Sequence, residues 1–201
     1  MMKKLPLALS TGVLSLALVL TGCTDASAPT GEATSSSEAP NAAATEADEM
    51  FVTMMIPHHQ QAVEMSDMVL AKDGLDPRVA DLAEQIKQAQ GPEIDRMRGW
   101  LEDWGVEYDP DATEDMDHGS MGGSMDGMMS EEDMAALESA DAAEASRLFL
   151  EQMIKHHEGA VDMAETALED AKNPDVLELA QQVIDDQTAE ISTMQALLSE
   201  L

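Results

Sequence analysis

The sequence predicts an all-α protein, a four-helix bundle made of two repeated helical hairpins with a methionine-rich loop between them. Three observations predict it. The segment MMIPHHQQAVEM (Met54 to Met65) recurs as QMIKHHEGAVDM (Gln152 to Met163) with seven of twelve positions identical. After a one-residue deletion the match continues, pairing Pro77 with Pro174, Gln90 with Gln187, Ile94 with Ile191 and Met97 with Met194, so the chain carries a duplicated unit. Within each unit apolar residues recur at intervals of three and four, the period of an amphipathic helix, and strand-like alternation is absent. Only 2% of residues are aromatic, which argues against an aromatic-rich β-sandwich.

Residues 1 to 22 read as a targeting element. Lys3 and Lys4 precede an apolar run from Leu5 to Leu20, too short to span a bilayer comfortably. Leu20-Thr21-Gly22-Cys23 resembles the lipobox of bacterial lipoproteins, in which cleavage exposes a cysteine for lipidation, so Cys23 is the expected anchor. An ordinary secretory signal with an incidental cysteine is the alternative, and both readings put the protein outside the cytoplasm. Cys23 is the single cysteine, so no intramolecular disulfide supports the fold. From residue 23 to 47 nothing aliphatic is larger than alanine. Such a stretch cannot bury enough surface to offset backbone ordering and reads as a disordered tether, with a reach of roughly 25 to 30 Å.

The first repeat is expected over 48–104. Phe51, Met55, Met65, Met68 and Val69 mark one helix (about 48 to 72), and Val79, Leu82, Ile86, Ile94 and Met97 mark the next (77 to 104). Asp48 and Ser146, equivalent under the repeat, are expected to start their helices. Asp76-Pro77 and Asn173-Pro174 each put a capping residue before proline at the first helical position. Pro57 and Gly91-Pro92 fall inside helices and are expected to bend them; the second repeat has Lys155 and Thr188-Ala189 there. Residues 108–130 form the methionine-rich loop, broken by glycine, serine and aspartate. Ser130 and Asp133 suggest a capping box for a short helix near 131 to 138. The second repeat then supplies helices at about 142 to 171 and 174 to 200.

With 10 basic against 41 acidic residues the formal charge is -31, which disfavours nucleic acid and anionic lipid as partners and favours cations. The only membrane contact expected is the lipid anchor. Methionine is the compositional outlier at 17 residues. Four of the five histidines form two adjacent pairs, His58-His59 and His156-His157, and Met55 and Met153 stand three residues before the first member of each pair. Positions three apart on a helix lie about 60° apart, so a thioether and an imidazole can meet one ion. Met65 and Met163 lie two turns further along, and Met54 and Met68 extend the stripe in the first repeat.

Di-iron bundle proteins place Glu-x-x-His on inward helices; here methionine stands where they have glutamate. Neutral, soft thioether sulfur suits Cu(I), and by chemical similarity Ag(I) as a surrogate, better than iron, manganese or magnesium. Adjacent histidines point about 100° apart, so one member of each pair is expected to face the centre and the other a neighbour or solvent. Hydrogen-bonded polar residues are the alternative for the pairs, but their duplication with matched methionines favours a metal. Met97 and Met194 serve equally as ligands or as flexible core filler. In the loop, Met116, His118, Met121, Met125, Met128 and Met129 lie where no packing demand explains them; with Asp115, Asp117 and Asp126 they are candidates for loose Cu(I) capture. Trp100 and Trp104 read as core anchors, and the remaining acids as a solvated face.

At these residues the sequence resembles the DUF305 family of bacterial proteins. The resemblance covers Asp48 to Leu201 and rests on Asp48-x-x-Phe51 before MIPHH and AVEM, on Phe149 with MIKHHEGAVDM, and on Gln90 to Leu101 ending in Trp100-Leu101. It implies a ferritin-like helical bundle, an extracytoplasmic location and histidine–methionine copper sites. Lys155 replaces the proline of MIPHH and Leu197-Leu198 replaces Trp-Leu, so the second site is expected to differ in strength.

The function expected is that of a lipid-anchored, non-enzymatic copper-binding protein that sequesters Cu(I) or passes it to a copper-handling envelope protein, in copper homeostasis or tolerance. A metal-dependent redox enzyme such as a cuprous oxidase, and a structural envelope adaptor, are the alternatives.

Overall fold

The computed structural model describes residues 44–109 and 127–201, and among them every regular element is a helix. These are α1 (Glu46–Leu70), α2 (Pro77–Trp104), α3 (Glu131–Ser139), α4 (Ala142–Asp170) and α5 (Pro174–Leu198). None of them is long and apolar enough to cross a membrane. The leader, Cys23 and most of the expected tether lie outside the described residues.

Local chemistry explains each start. Thr45 caps α1: its hydroxyl accepts from the Asp48 N–H, and the Asp48 carboxylate accepts from the Thr45 N–H at 2.7 Å, a reciprocal capping box. The helix therefore begins at Glu46, inside the stretch read as tether. Asp76-Pro77 and Asn173-Pro174 start α2 and α5 as expected, and Gly105 closes α2 in the left-handed conformation (φ 72°). Ser130 and Asp133 form the capping box of α3. Asp141, not Ser146, caps α4, accepting from the Ala143 and Glu144 N–H groups.

Asp48, which also helps start α1 through the capping box, and Ser146, which does not cap α4, both act across the repeats. The second carboxylate oxygen of Asp48 accepts from the backbone N–H groups of Lys172 and Asn173, each at 2.9 Å, at the start of α5. Ser146 Oγ accepts from the Asp76 N–H at 3.4 Å, at the start of α2. Each repeat's first helix thus anchors the entry to the other repeat's second helix. Burial would raise the Asp48 carboxyl, but hydrogen bonds from Thr45, Asn173 and Lys172 outweigh it and hold it below the usual carboxylate value.

α1 packs on α2, α4 on α5, and α1 on α4, with α3 against α1 and α4. Lys72 fastens α3 by donating to the carbonyls of Glu138 and Ala140. Both internal prolines, Pro57 and Pro92, are carried within continuous helices.

The apolar interior has two parts. One cluster takes Phe51, Met55 and Ile56 from α1, Ile94 and Met97 from α2, Ala160 and Ala164 from α4, and Leu179 and Val183 from α5. The other takes Met65 and Val69, Leu82 and Ile86, Phe149 and Met153, and Met194 from the same helices. Along every long helix, polar residues fall between its contributions to the two clusters: His58 and His59, Gln90 and Glu93, His156 and His157, Gln187 and Glu190. A polar layer built around the histidines therefore divides the core.

Trp100 and Trp104 are half-buried, not central. They stack on each other at the border of the first cluster (centroids 6.2 Å, planes 18° apart), with the Arg96 guanidinium over Trp100.

Candidate metal centre

All four paired histidines are fully buried, so of the two alternatives for the second member of each pair, a neighbour or solvent, the structure shows the neighbour. The geometry divides them differently. His58 and His156, the first members, bring their rings together with centroids 3.8 Å apart and planes tilted by 41°. His59 and His157, the second members, each meet a carboxylate from the other helix of their own hairpin. Nε2 of His59 lies 2.9 Å from Glu93, and Nε2 of His157 lies 2.7 Å from Glu190. The ring centroids of His156 and His157 are 6.2 Å apart.

The layer is short of hydrogen bonds. Neither ring nitrogen of His156 makes a hydrogen bond of good geometry, although the His58 backbone lies close enough to favour the protonated ring, and Nδ1 of His59 and of His157 has no hydrogen-bond partner. An unpaired buried polar atom costs about 1–3 kcal/mol. Burial, and then the neighbouring rings of His58, His157 and His59, push His156 well below the usual imidazole value. That ring is neutral near pH 7 and keeps a lone pair for an electrophile.

These orphaned nitrogens suit a soft cation. Among the described residues no group of three or more His, Cys, Asp or Glu side chains, the paired histidines included, is arranged to hold a metal ion by itself. Thioethers are the further donors near the layer. Met55 and Met153, one turn before His58 and His156, are fully buried, as are Met65, Met97 and Met194. Met55 and Met97 belong to the first cluster, with Met163 packed against it; Met65, Met153 and Met194 belong to the second, with Met68 packed against it. Met54 is half-buried.

The loop residues divide. Met116, His118, Met121 and Met125, with Asp115, Asp117 and Asp126, lie outside the described residues. Met128 is half-buried, and Met129 has a packing role the sequence reading did not anticipate: it is buried in the second cluster. Gln61 clamps its backbone, accepting from the Met129 N–H at 2.7 Å and donating to its carbonyl at 3.0 Å. Gly127 (φ 90°) rests on α4, where a Cβ would stand 2.8 Å from the Lys155 carbonyl oxygen and 3.0 Å from that of His156. The chain thus returns to the domain beside the histidine layer.

Glu93 and Glu190 were missed by sequence reasoning, which placed the acids on a solvated face. The signal was in the repeat: three residues after the matched pair Gln90 and Gln187, both units carry glutamate. Asp48 is likewise a buried acid, satisfied by hydrogen bonds.

The DUF305 family, described as a domain of unknown function, matches residues 48–198. A DUF305 fragment from Deinococcus radiodurans is 33% identical, with 79% of this chain and 99% of that one covered and a TM-score of 0.66. A DUF305 protein from Streptomyces coelicolor, named as secreted, is 35% identical over 77% of this chain and 91% of its own, with a TM-score of 0.69. CopM in its Cu(I)-bound form is 30% identical over 76% of this chain and 96% of its own, with a TM-score of 0.60. Similar structures of CopM hold Cu(II) and Ag. No curated protein matches the chain.

Proposed function

The chain belongs to the DUF305 family, and from that premise we propose that it is an extracytoplasmic lipoprotein that binds Cu(I) in the histidine layer and sequesters or passes it on, without catalysis. The observation that carries this reading is the set of buried, hydrogen-bond-deficient imidazole nitrogens of His59, His156 and His157, in a layer flanked by methionine-bearing clusters. In a dry core such nitrogens are costly unless a guest completes them. A soft monovalent ion completes them without demanding the carboxylate cage that the described residues lack.

In this reading the four long helices form a ferritin-like four-helix bundle whose middle is the binding layer. Met55, Met153, Met65, Met163, Met97 and Met194 supply thioethers, and the loop methionines add capture sites. The net charge of -31 raises the local concentration of cations. Cys23 carries the lipid anchor. That CopM holds Cu(I), Cu(II) and Ag, and that the Streptomyces relative is named as secreted, support the metal and the location.

Anaerobic titration of the protein lacking residues 1–22 with Cu(I), Ag(I), Cu(II), Zn(II) and Fe(II) tests the reading. Strong preference for the monovalent ions is expected, and its loss when His58, His59, His156 and His157 are all replaced by alanine. Equal affinity for Zn(II), or full Cu(I) uptake by the quadruple variant, would remove the histidine layer from the function. Oxygen consumption on adding Cu(I) would replace passive binding with a cuprous oxidase.

A further inference from the structure

We propose that Glu93 and Glu190 are positioning residues, which fix His59 and His157 in the single tautomer that leaves Nδ1 free for the ion. The proposal rests on reading the histidine layer as the metal site. An ionised carboxylate has no proton to give, so in both contacts the imidazole Nε2–H donates and the glutamate accepts. A neutral imidazole has one N–H, which places its lone pair on Nδ1. In both rings Nδ1 is the buried nitrogen without a hydrogen-bond partner. A carboxylate on one ring nitrogen also raises the basicity of the other and holds the ring's orientation, the usual support for an imidazole ligand.

The two contacts arise in separate hairpins, at positions equivalent under the repeat, so one arrangement has formed twice. They are not equally braced. The other oxygen of Glu93 accepts from Gln182 Nε2 at 3.1 Å, which ties α1, α2 and α5 into one chain of hydrogen bonds. The counterpart of Gln182 in the first repeat is Gln85, which donates to the Asp81 carbonyl of its own helix. Glu190, with a side chain 21% exposed against 11% for Glu93, stands nearer to solvent. The structure therefore assigns His59 as the more rigidly presented ring.

Long-range 1H–15N correlation of the imidazole rings in the metal-free protein reads the tautomer directly, and Ag(I) titration of the same samples reads the consequence. In the wild type, His59 and His157 are expected as the Nε2–H form. E93L should scramble His59 and weaken Ag(I) binding by about 10- to 100-fold. E93Q, whose amide oxygen still accepts, should keep the tautomer and lose less, and E190L should repeat the effect at His157. Should E93L fail to fold, E190L at the more exposed position decides: mixed tautomers at His157 with weaker Ag(I) binding support the role, and wild-type values for both overturn it. An Nδ1–H or doubly protonated ring in the wild type overturns it, as does E93L with a scrambled ring and undiminished affinity. If the quadruple histidine variant loses Ag(I) while E93L does not, only the positioning role falls; if the quadruple variant binds as the wild type does, the metal-site reading falls.

Discussion

The imidazole of His58 meets that of His156 at a centroid separation of 3.8 Å, although 97 residues separate them in the chain. The repeats come together through the same residue of each, and two rings that would otherwise be solvated are enclosed between apolar clusters. Nothing in the apolar contacts on either side needs a polar side chain at this point. On the proposed reading, the histidines lower the stability available to the domain in exchange for a binding layer.

That trade can be measured at His156, whose two ring nitrogens make no hydrogen bond of good geometry. His156→Leu replaces a buried polar ring with an apolar side chain, a change that is often neutral or stabilising when the polar group was unsatisfied. The metal-free variant is expected to melt at or a few degrees above the wild type, while the rise in Tm on adding Ag(I) shrinks or disappears. Thermal melts with and without Ag(I) read both. A variant destabilised by several kcal/mol with its Ag(I) response intact would assign His156 to the scaffold.

Asp48 makes a second prediction, about pH. Its carboxyl is held below the usual value of 3.8 in the folded state, so the unfolded chain takes up a proton first as pH falls. Its contribution is complete above about pH 4 and is lost as pH drops through the lowered folded value. Asp48→Asn keeps the size but removes the charge and one of two acceptor oxygens, of which one serves Thr45 and the other Lys172 and Asn173. Its expected cost at pH 7 is about 1–3 kcal/mol. Denaturant midpoints between pH 7 and pH 2 should show the two proteins converging at the acid end. Parallel curves would remove the linkage.

Much of the scaffold was legible because it is local. Proline after a capping residue set the starts of α2 and α5, and the duplicated motif set which helices are equivalent. Ser146 shows where that logic stops: its sequence neighbourhood suits a cap, yet its hydroxyl serves Asp76 of the other hairpin, a contact created only by packing. Glu93 and Met129 were hidden for the same reason. An acid at helical spacing looks solvated until the facing histidine is known, and a methionine in a glycine-rich stretch looks idle until Gln61 is found holding its backbone.

Gly127 tests whether that seat matters. Its positive φ and its closeness to the carbonyls of Lys155 and His156 both exclude a side chain. Gly127→Ala combines a left-handed alanine with an overpacked contact, at an expected cost of about 2–4 kcal/mol if the seat is kept. A smaller cost is expected if residues 127–129 detach, and Met129 then becomes accessible to oxidation by peroxide. Peptide mapping of methionine sulfoxide distinguishes the two. Unchanged stability with Met129 still protected would show that the segment reaches its place by another route.

Sulfur can be separated from packing at Met55 and Met153, both fully buried. Methionine and leucine have similar volumes and their exchange in a core usually costs below about 1.5 kcal/mol, so Met55→Leu and Met153→Leu should leave the helical domain folded. If the thioether one turn before each histidine pair contributes to binding, each substitution should weaken Ag(I) or Cu(I) by about tenfold, equivalent to about 1.4 kcal/mol. The loss should be larger for the monovalent ions than for Zn(II), because imidazole serves both ions and thioether only the soft ones. Equal losses for Ag(I) and Zn(II) would point to a distorted histidine layer. No loss for either ion would leave both methionines as filler and transfer the soft-metal preference to other sulfur atoms, with Met65, Met97, Met163 and Met194 next to be exchanged.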